Sequence, residues 1–383
     1  IFGLERCVAF SPEGTQVATA SHQYWVNILD TVSRHVVRKF YGHTDYVRAV
    51  AWNRHGNQIA TGADDKSVIV WDALSGSQVA TLKGHSKRVN GVAFSPSCKE
   101  VASVGGDKQI ILWNLAAREP QWMTKGNSES VNSIAFSPDG SLLVTTGDDD
   151  LGKVWKVATG ESVAELKGHS GNVTCAEFSP DGRTIVTGGS DKTAKLWDSA
   201  TGTLLMTING HTKSLEGVTF SPDGRRIVTT SNDQTVKLFD AIGGYETLAI
   251  KESHADAVAL SRDGGWLALG GGSGPSSGSL IDLRPFESDG RLEQRATLLL
   301  ESHLPSAMSL DALVATIEAD RQSSDEIRKC AIRLSSEHWR RHIDGPAQRR
   351  VAKLHHEGLL PDEVIARINQ DASLTPPMRD AAV

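Results

Sequence analysis

Histidine and aspartate recur as pairs along this chain, and no other combination in the sequence points as directly to chemistry. Four histidines are each followed, 22 residues later, by an aspartate: His43 and Asp65, His85 and Asp107, His169 and Asp191, His211 and Asp233. An imidazole beside a carboxylate can act as a general base or bind a metal ion. An active site is needed only once, however, whereas this pair is copied. We therefore predict a structural role, with no catalytic residue, no metal site and no cofactor.

The pairs belong to a repeating unit of 42 residues. The same step separates seven bulky residues: Leu29, Trp71, Trp113, Trp155, Trp197, Phe239 and Ile281. A period in this range is typical of stacked or radial repeat architectures. The unit at 169–210 predicts four short strands, at 173–178, 183–188, 193–197 and 203–208, with tight turns such as Ser179-Pro180-Asp181-Gly182 between them.

A four-stranded antiparallel meander cannot bury both of its faces alone, but meanders arranged around an axis cover one another. We therefore predict an all-β seven-bladed propeller over residues 1–302, built from four-stranded antiparallel blades. The predicted blades span residues 1–42, 43–84, 85–126, 127–168, 169–210, 211–251 and 252–302, and the last strand is expected at 295–301. A solenoid of stacked meanders is the structural alternative.

Composition argues against several other classes of protein. Apolar residues make up 39% of the 383 residues, charged residues make up 22%, and the net charge is −6. These values are typical of a soluble globular protein, and the negative charge argues against binding to nucleic acid or to a membrane surface. No apolar run approaches the roughly 18 residues of a membrane span. The four scattered cysteines favour free thiols, and hence a cytoplasmic protein.

The repeat and its landmarks resemble the WD-repeat β-propeller family, over all seven predicted units. In that family a buried network of His, Asp, Ser or Thr, and Trp ties each blade together, and a satisfied polar network is rigid. The resemblance implies three complete networks: His43, Thr61, Asp65 and Trp71; His85, Ser103, Asp107 and Trp113; His169, Thr187, Asp191 and Trp197. The next blade has His211, Thr229 and Asp233, with Phe239 in place of Trp.

Three blades depart from this pattern. The fourth has Asn127 at the His position, the first has Ile1 and Gln23 at the His and Asp positions, and the seventh has Pro275 at the Asp position. The first and seventh blades flank the closure of the ring, so we predict that this seam is its weakest part. We also expect each blade to be built from its own four strands, rather than by lending one strand across the seam.

Partners of WD-repeat proteins often bind the face formed by the loops before the inner strands and the turns before the third strands. The resemblance therefore implies a partner-binding face at Leu4, Arg6, Tyr46, Arg48, Arg88, Asn90, Asn132, Asn172, Glu216 and Asp256. Its arginines fall on the first three blades, and Tyr and Arg are enriched at interface hot spots. We hypothesise that the sector formed by these blades binds an acidic peptide segment. Its residues are Leu4, Arg6, Tyr46, Arg48 and Arg88. In the alternative, the arginines pair locally with carboxylates such as Asp64.

Residues 303–383 lose the strand pattern and predict an α-helical C-terminal region. A second pattern with an offset of 51 residues indicates a helical repeat that is truncated at the end of the sequence, and we expect a fragment of a longer protein. A propeller followed by helical repeats resembles large bacterial WD-repeat proteins, some of which carry an upstream Ser/Thr kinase domain.

Two functions follow from these resemblances. The first is a non-catalytic scaffold that binds protein or peptide partners on the propeller face. The alternative is a regulatory, substrate-recruiting segment of a larger bacterial multidomain enzyme such as a Ser/Thr protein kinase. The sequence does not determine the oligomeric state.

Overall fold

The computed structural model describes residues 5–21, 24–252, 255–271 and 278–283. Within these ranges the chain forms seven antiparallel sheets, in which strands pair in the order of the sequence. Six sheets have four strands each, and the described part of the seventh has three.

The strands of the first four blades are nearly uniform in length. Blade one contains β1 (Glu5–Phe10), β2 (Gln16–Ser21), β3 (Trp25–Asp30) and β4 (Val36–Tyr41). Blade two contains β5 (Val47–Trp52), β6 (Gln58–Ala63), β7 (Ser67–Asp72) and β8 (Gln78–Lys83). Blade three contains β9 (Val89–Phe94), β10 (Glu100–Gly105), β11 (Gln109–Asn114) and β12 (Glu119–Lys125). Blade four contains β13 (Val131–Phe136), β14 (Leu142–Gly147), β15 (Leu151–Lys156) and β16 (Ser162–Lys167).

The same order continues in the remaining blades. Blade five contains β17 (Val173–Phe178), β18 (Thr184–Gly189), β19 (Ala194–Asp198) and β20 (Leu204–Ile208). Blade six contains β21 (Leu215–Phe220), β22 (Arg226–Ser231), β23 (Thr235–Asp240) and β24 (Glu246–Lys251). Blade seven contains β25 (Ala257–Leu260), β26 (Trp266–Gly270) and β27 (Gly278–Asp282).

Short side chains build the turn between the first two strands of a blade. In blade five the Ser179 hydroxyl donates to Asp181 at 2.6 Å and accepts the backbone N–H of Thr184 at 3.0 Å. Gly182 completes this turn with a φ of 73°, in the left-handed region that glycine adopts without steric cost. The turn depends on these residue types, so its position can be predicted from the sequence.

The hydrophobic core lies between neighbouring blades. Leu196 and Ile208 of blade five pack against Phe220 and Ile227 of blade six in one cluster, and similar clusters join the other consecutive pairs from blade one to blade seven. The second and third strands are therefore buried on both faces, whereas outer strands such as β20 are largely exposed. Each blade depends on its neighbours to cover its faces.

The ring closes between the first and last blades. Strand β1 lies beside β25 and β26, as each inner strand lies beside the next around the ring. The prediction of a seven-bladed propeller is therefore confirmed, and the solenoid alternative is wrong. Among the described strands, those of blades one and seven each come from a single stretch of chain, with none lent across the seam.

Two predicted elements fall outside the described ranges. These are the strand at 295–301 and the helical region at 303–383, and both stay predictions. In the part of the chain that the structure describes, no helix is long and apolar enough to cross a membrane.

Candidate functional site

The His–Asp pair of blade five lies at the centre of a chain of buried hydrogen bonds. His169 Nδ1 is 2.9 Å from Asp191, and His169 Nε2 is 2.7 Å from the hydroxyl of Thr187. The indole N–H of Trp197 donates to the same hydroxyl at 2.8 Å. Because a carboxylate only accepts hydrogen bonds, Nδ1 of a neutral ring carries the proton, and Nε2 accepts the proton of Thr187. Each of these four side chains thus has a hydrogen-bond partner for its buried polar groups.

The same geometry recurs in three other blades. His43 lies 2.8 Å from Asp65 in blade two, His85 lies 3.0 Å from Asp107 in blade three, and His211 lies 2.9 Å from Asp233 in blade six. Thr61, Ser103 and Thr229 take the place of Thr187 at 2.7 to 2.8 Å from the imidazole. Trp71 and Trp113 donate to Thr61 and Ser103 at 2.8 Å. In blade six Phe239 has no N–H to donate.

Blade four completes the network without a histidine. Asn127 donates its amide N–H to Asp149 at 2.7 Å, and its amide oxygen accepts the hydroxyl proton of Thr145 at 3.3 Å. Trp155 donates to Thr145 at 2.9 Å. The amide therefore offers one donor and one acceptor in the same directions as the neutral imidazole. The sequence marks Asn127 as a departure, but its side chain makes the equivalent contacts.

Burial prevents these histidines from acting on a substrate. Their side chains are only 1 to 2% exposed, and both ring nitrogens are occupied by the network. In the described residues, no three His, Cys, Asp or Glu side chains are grouped so that they could hold a metal ion. The geometry therefore supports a structural role, in which the network holds the loops and strands of one blade together.

The network holds its aspartates ionised. Burial alone would raise the pKa of Asp191, but hydrogen bonds from Thr193 and the nearby His169 offset it, so the pKa is lowered. The same balance lowers the pKa of Asp65, Asp107, Asp149 and Asp233. Burial lowers the pKa of His169 and His211, and the neighbouring carboxylates only partly offset this effect. These two imidazoles are therefore neutral in the folded protein at neutral pH.

The aspartates and the two histidines both make the fold less stable in acid. A histidine whose pKa is lowered by folding binds fewer protons folded than unfolded, so stability falls as the pH drops below about 6.5. The aspartates add a second loss, as the pH falls from about 4 through their lowered pKa values. We expect the melting temperature to fall in these two windows, measured by circular dichroism from pH 8 to pH 3. In a His211→Asn variant, which copies blade four, the first loss should be smaller. A melting temperature that is constant between pH 7.5 and 5.5 would contradict this expectation.

The predicted partner-binding residues converge on one cavity, at the mouth of the central channel. The cavity has a volume of about 560 Å³. Seven of the predicted residues line it: Arg48, Arg88, Asn90, Asn132, Asn172, Glu216 and Asp256. Tyr46 is exposed but does not line the cavity, and its ring lies 5.6 Å from the ring of Tyr24. Leu4 and the side chain of Arg6 lie outside the described part of the chain.

Five further residues line the cavity and were not among the predicted set: Asp148, Thr174, Ser190, Ser214 and Asn232. Each occupies one of the register positions that define the face, in the loop before an inner strand or just before the aspartate of the second turn. The repeat therefore contained the signal for them.

Arg48 is held by a carboxylate of its own blade. Its Nε and Nη2 both donate to Asp64, the latter at 2.8 Å, and this interaction raises the pKa of the guanidinium further. Arg48 is thus paired locally, as the alternative interpretation of the sequence expects. Arg88 is exposed, and its Nε donates to Asn90 at 3.1 Å.

Side chains at the mouth also link one blade to the next. Asn90 donates to the carbonyl of Val131 at 2.8 Å, and Asn132 to that of Val173 at 3.1 Å. Thr174 continues the series with a bond of 2.8 Å to the carbonyl of Leu215. These bonds join blades three to six in a polar wall. The spacing of the repeat alone does not reveal them, because they depend on how far a side chain reaches across the gap between blades.

The same wall also carries carboxylates. Asp148 accepts hydrogen bonds from Asn132 at 2.8 Å and from Asn172 at 2.9 Å. Glu216 accepts one from Asn232 at 2.6 Å, and Asp256 lies in the next blade. The mouth therefore presents Arg88 in blade three, carboxylates in blades four, six and seven, and amide and hydroxyl groups among them.

Comparison with known families identifies the repeated unit. The family described as "WD domain, G-beta repeat" matches at residues 34–72, 76–114, 118–156, 160–198 and 202–240, which is about half of the chain. Each match runs from the outer strand of one blade through the first three strands of the next. A comparison with curated proteins gives no match.

Proposed function

Since the chain belongs to the WD40 repeat family, we propose that it is a non-catalytic scaffold that binds protein or peptide partners at the mouth of its central channel. One observation carries this proposal: polar side chains from six consecutive blades converge on a single cavity of about 560 Å³. Because a fold can serve many functions, the argument depends on this site.

The wall of the mouth is suited to a peptide because it is already ordered. The bonds from Asn90, Asn132 and Thr174 to the neighbouring blades fix these side chains before a partner arrives. Groups that are ordered in advance lose little conformational entropy on binding. Their remaining donors and acceptors can then pair with the backbone and polar side chains of a peptide.

The charges of the mouth define the partner further. Of the two arginines whose side chains the structure describes at the mouth, Arg88 is exposed and Arg48 is paired with Asp64. We therefore assign the binding of an acidic side chain to Arg88. Glu216 and Asp256, in blades six and seven, favour a basic side chain. We therefore expect a partner segment in which acidic and basic residues are separated by the width of the cavity.

Reversing the charge of Arg88 tests this assignment. We expect affinity capture with an Arg88→Glu variant of the full chain to recover the main partner in an amount lower by a factor of about ten or more. The reason is that a hot-spot arginine contributes about 2 kcal/mol or more to the free energy of binding. Recovery is measured by quantitative mass spectrometry. The control is Lys87→Glu, which makes the same charge change at an exposed residue beside Arg88 that does not line the cavity. Equal recovery with both variants would contradict the proposal.

A further inference from the structure

The outer strands of blades one to six are edge strands, whose backbone groups are unpaired on one side. Native proteins discourage the pairing of such edges with another chain by placing charged residues on them. Strands β4, β8, β12, β16 and β24 each contain at least one Lys, Arg or Glu. Strand β20 of blade five reads LLMTI and has no charged residue. Among the described outer strands, it is the one edge without this protection.

A groove lies beside β20, between blades five and six. It has a volume of about 580 Å³, and Leu196, Met206 and Phe220 are among its lining residues. Leu205 and Ile242 also line it and are 54% and 84% exposed. Exposed apolar side chains around an apolar recess are typical of an interaction surface.

In two other blades, the residue at the register position of Met206 bridges to the following blade. At the position of Met206, blade one has Arg38, which donates to the carbonyl of Ala73 at 2.7 Å. Blade three has Trp122 there, which donates to the carbonyl of Val157 at 2.8 Å. Both side chains bridge to the following blade. Met206 has no N–H to donate, and its flexible thioether suits a surface that adapts to an apolar ligand.

We propose that β20 and this groove bind an extended peptide segment of a partner protein by strand addition. Main-chain hydrogen bonds to the edge supply affinity, and the groove takes one bulky apolar side chain of the peptide. The size of the surface favours a peptide over a second folded copy of this chain. Five residues of strand extend only about 17 Å. An edge of this length is too short to supply the about 1,200–2,000 Å² that a stable interface between folded proteins buries.

A synthetic peptide can test strand addition with the full chain. The probe is a fluorescein-labelled peptide of alternating valine and threonine with a central leucine and lysines at both ends, followed by fluorescence anisotropy. We expect Leu205→Lys to weaken its binding at least about tenfold, because it places a charge at the edge and the groove. The matched control is Val163→Lys, at the same register position in β16 and 41% exposed, which should bind the peptide as the unchanged protein does.

Three further measurements separate the possible outcomes. A peptide with N-methylated backbone nitrogens should not bind, and hydrogen exchange of the β20 amides should slow when the unmodified peptide is added. Thermal melting shows whether each variant remains folded. Equal binding of the N-methylated peptide, equal losses in both lysine variants, or no binding of the probe at millimolar concentration would overturn the proposal. A dimer in sedimentation that dissociates in Leu205→Lys would also overturn it, in favour of pairing between two copies.

Discussion

Replacing Asp191 by alanine is expected to lower the free energy of unfolding by about 3 kcal/mol, because it removes the acceptor at the centre of a buried network. The carboxylate accepts from His169 at 2.9 Å, from the backbone of Ser170 at 3.1 Å, and from the hydroxyl of Thr193 at 2.8 Å. Alanine leaves the Nδ1 proton of a 1% exposed imidazole without a partner. Urea unfolding followed by tryptophan fluorescence measures the change.

The control for this prediction is Asp198→Ala in the same blade. Asp198 also accepts hydrogen bonds within a turn, from the backbone and hydroxyl of Thr201 at 2.8 and 2.7 Å, but these bonds are exposed and water can replace them. We expect Asp198→Ala to have less than half the effect of Asp191→Ala. Equal effects would show that the buried network adds nothing beyond ordinary turn bonds.

Trp197→Ala should destabilise the protein by about 4 kcal/mol, since truncating a buried aromatic residue leaves a large cavity. Trp197 is 0% exposed and packs with Leu166, Val154 and Ile185 between blades four and five. Its hydrogen bond to Thr187 is lost as well. The free energy of unfolding of this variant is measured in the same urea experiment.

The matched variant is Trp197→Phe, for which blade six provides the template. Phe239 occupies the corresponding position and is 1% exposed, so a phenyl ring can fill this place in a blade. We expect a loss of about 1 to 2 kcal/mol, from the missing N–H bond and a smaller gap. If phenylalanine cost as much as alanine, the hydrogen bond would outweigh the volume of the side chain.

The strands and turns could be predicted from the sequence because short-range chemistry specifies them. Within unit 169–210 the first strand falls at 173–178 as predicted, and the other three begin one residue later than predicted. The turn at Ser179 and Gly182 carries its own hydrogen bonds and backbone preference. Because each unit forms one blade, the number of blades follows from the number of units in the sequence. The count of seven is confirmed.

Contacts between individual side chains could not be predicted in the same way. Asn127 differs from histidine in residue type, and only its position beside Asp149 and Thr145 shows that it makes the same bonds. Likewise, the register placed Arg48 at the channel mouth, but it left open whether the guanidinium faces a partner or pairs with Asp64, which depends on side-chain conformation. The gap at Met206 depends on which groups the neighbouring blade presents.

The closure of the ring has a consequence for how the protein is made. Strand β1 is synthesised before every other described strand, yet its neighbours β25 and β26 lie almost the whole described length of the chain away. Joining such distant segments costs loop-closure entropy, and contacts of this kind form late and slowly. On the ribosome, blade one therefore emerges with one face uncovered and waits while six further blades are translated. The propeller grows as an open arc, and its closure joins the first blade to the last.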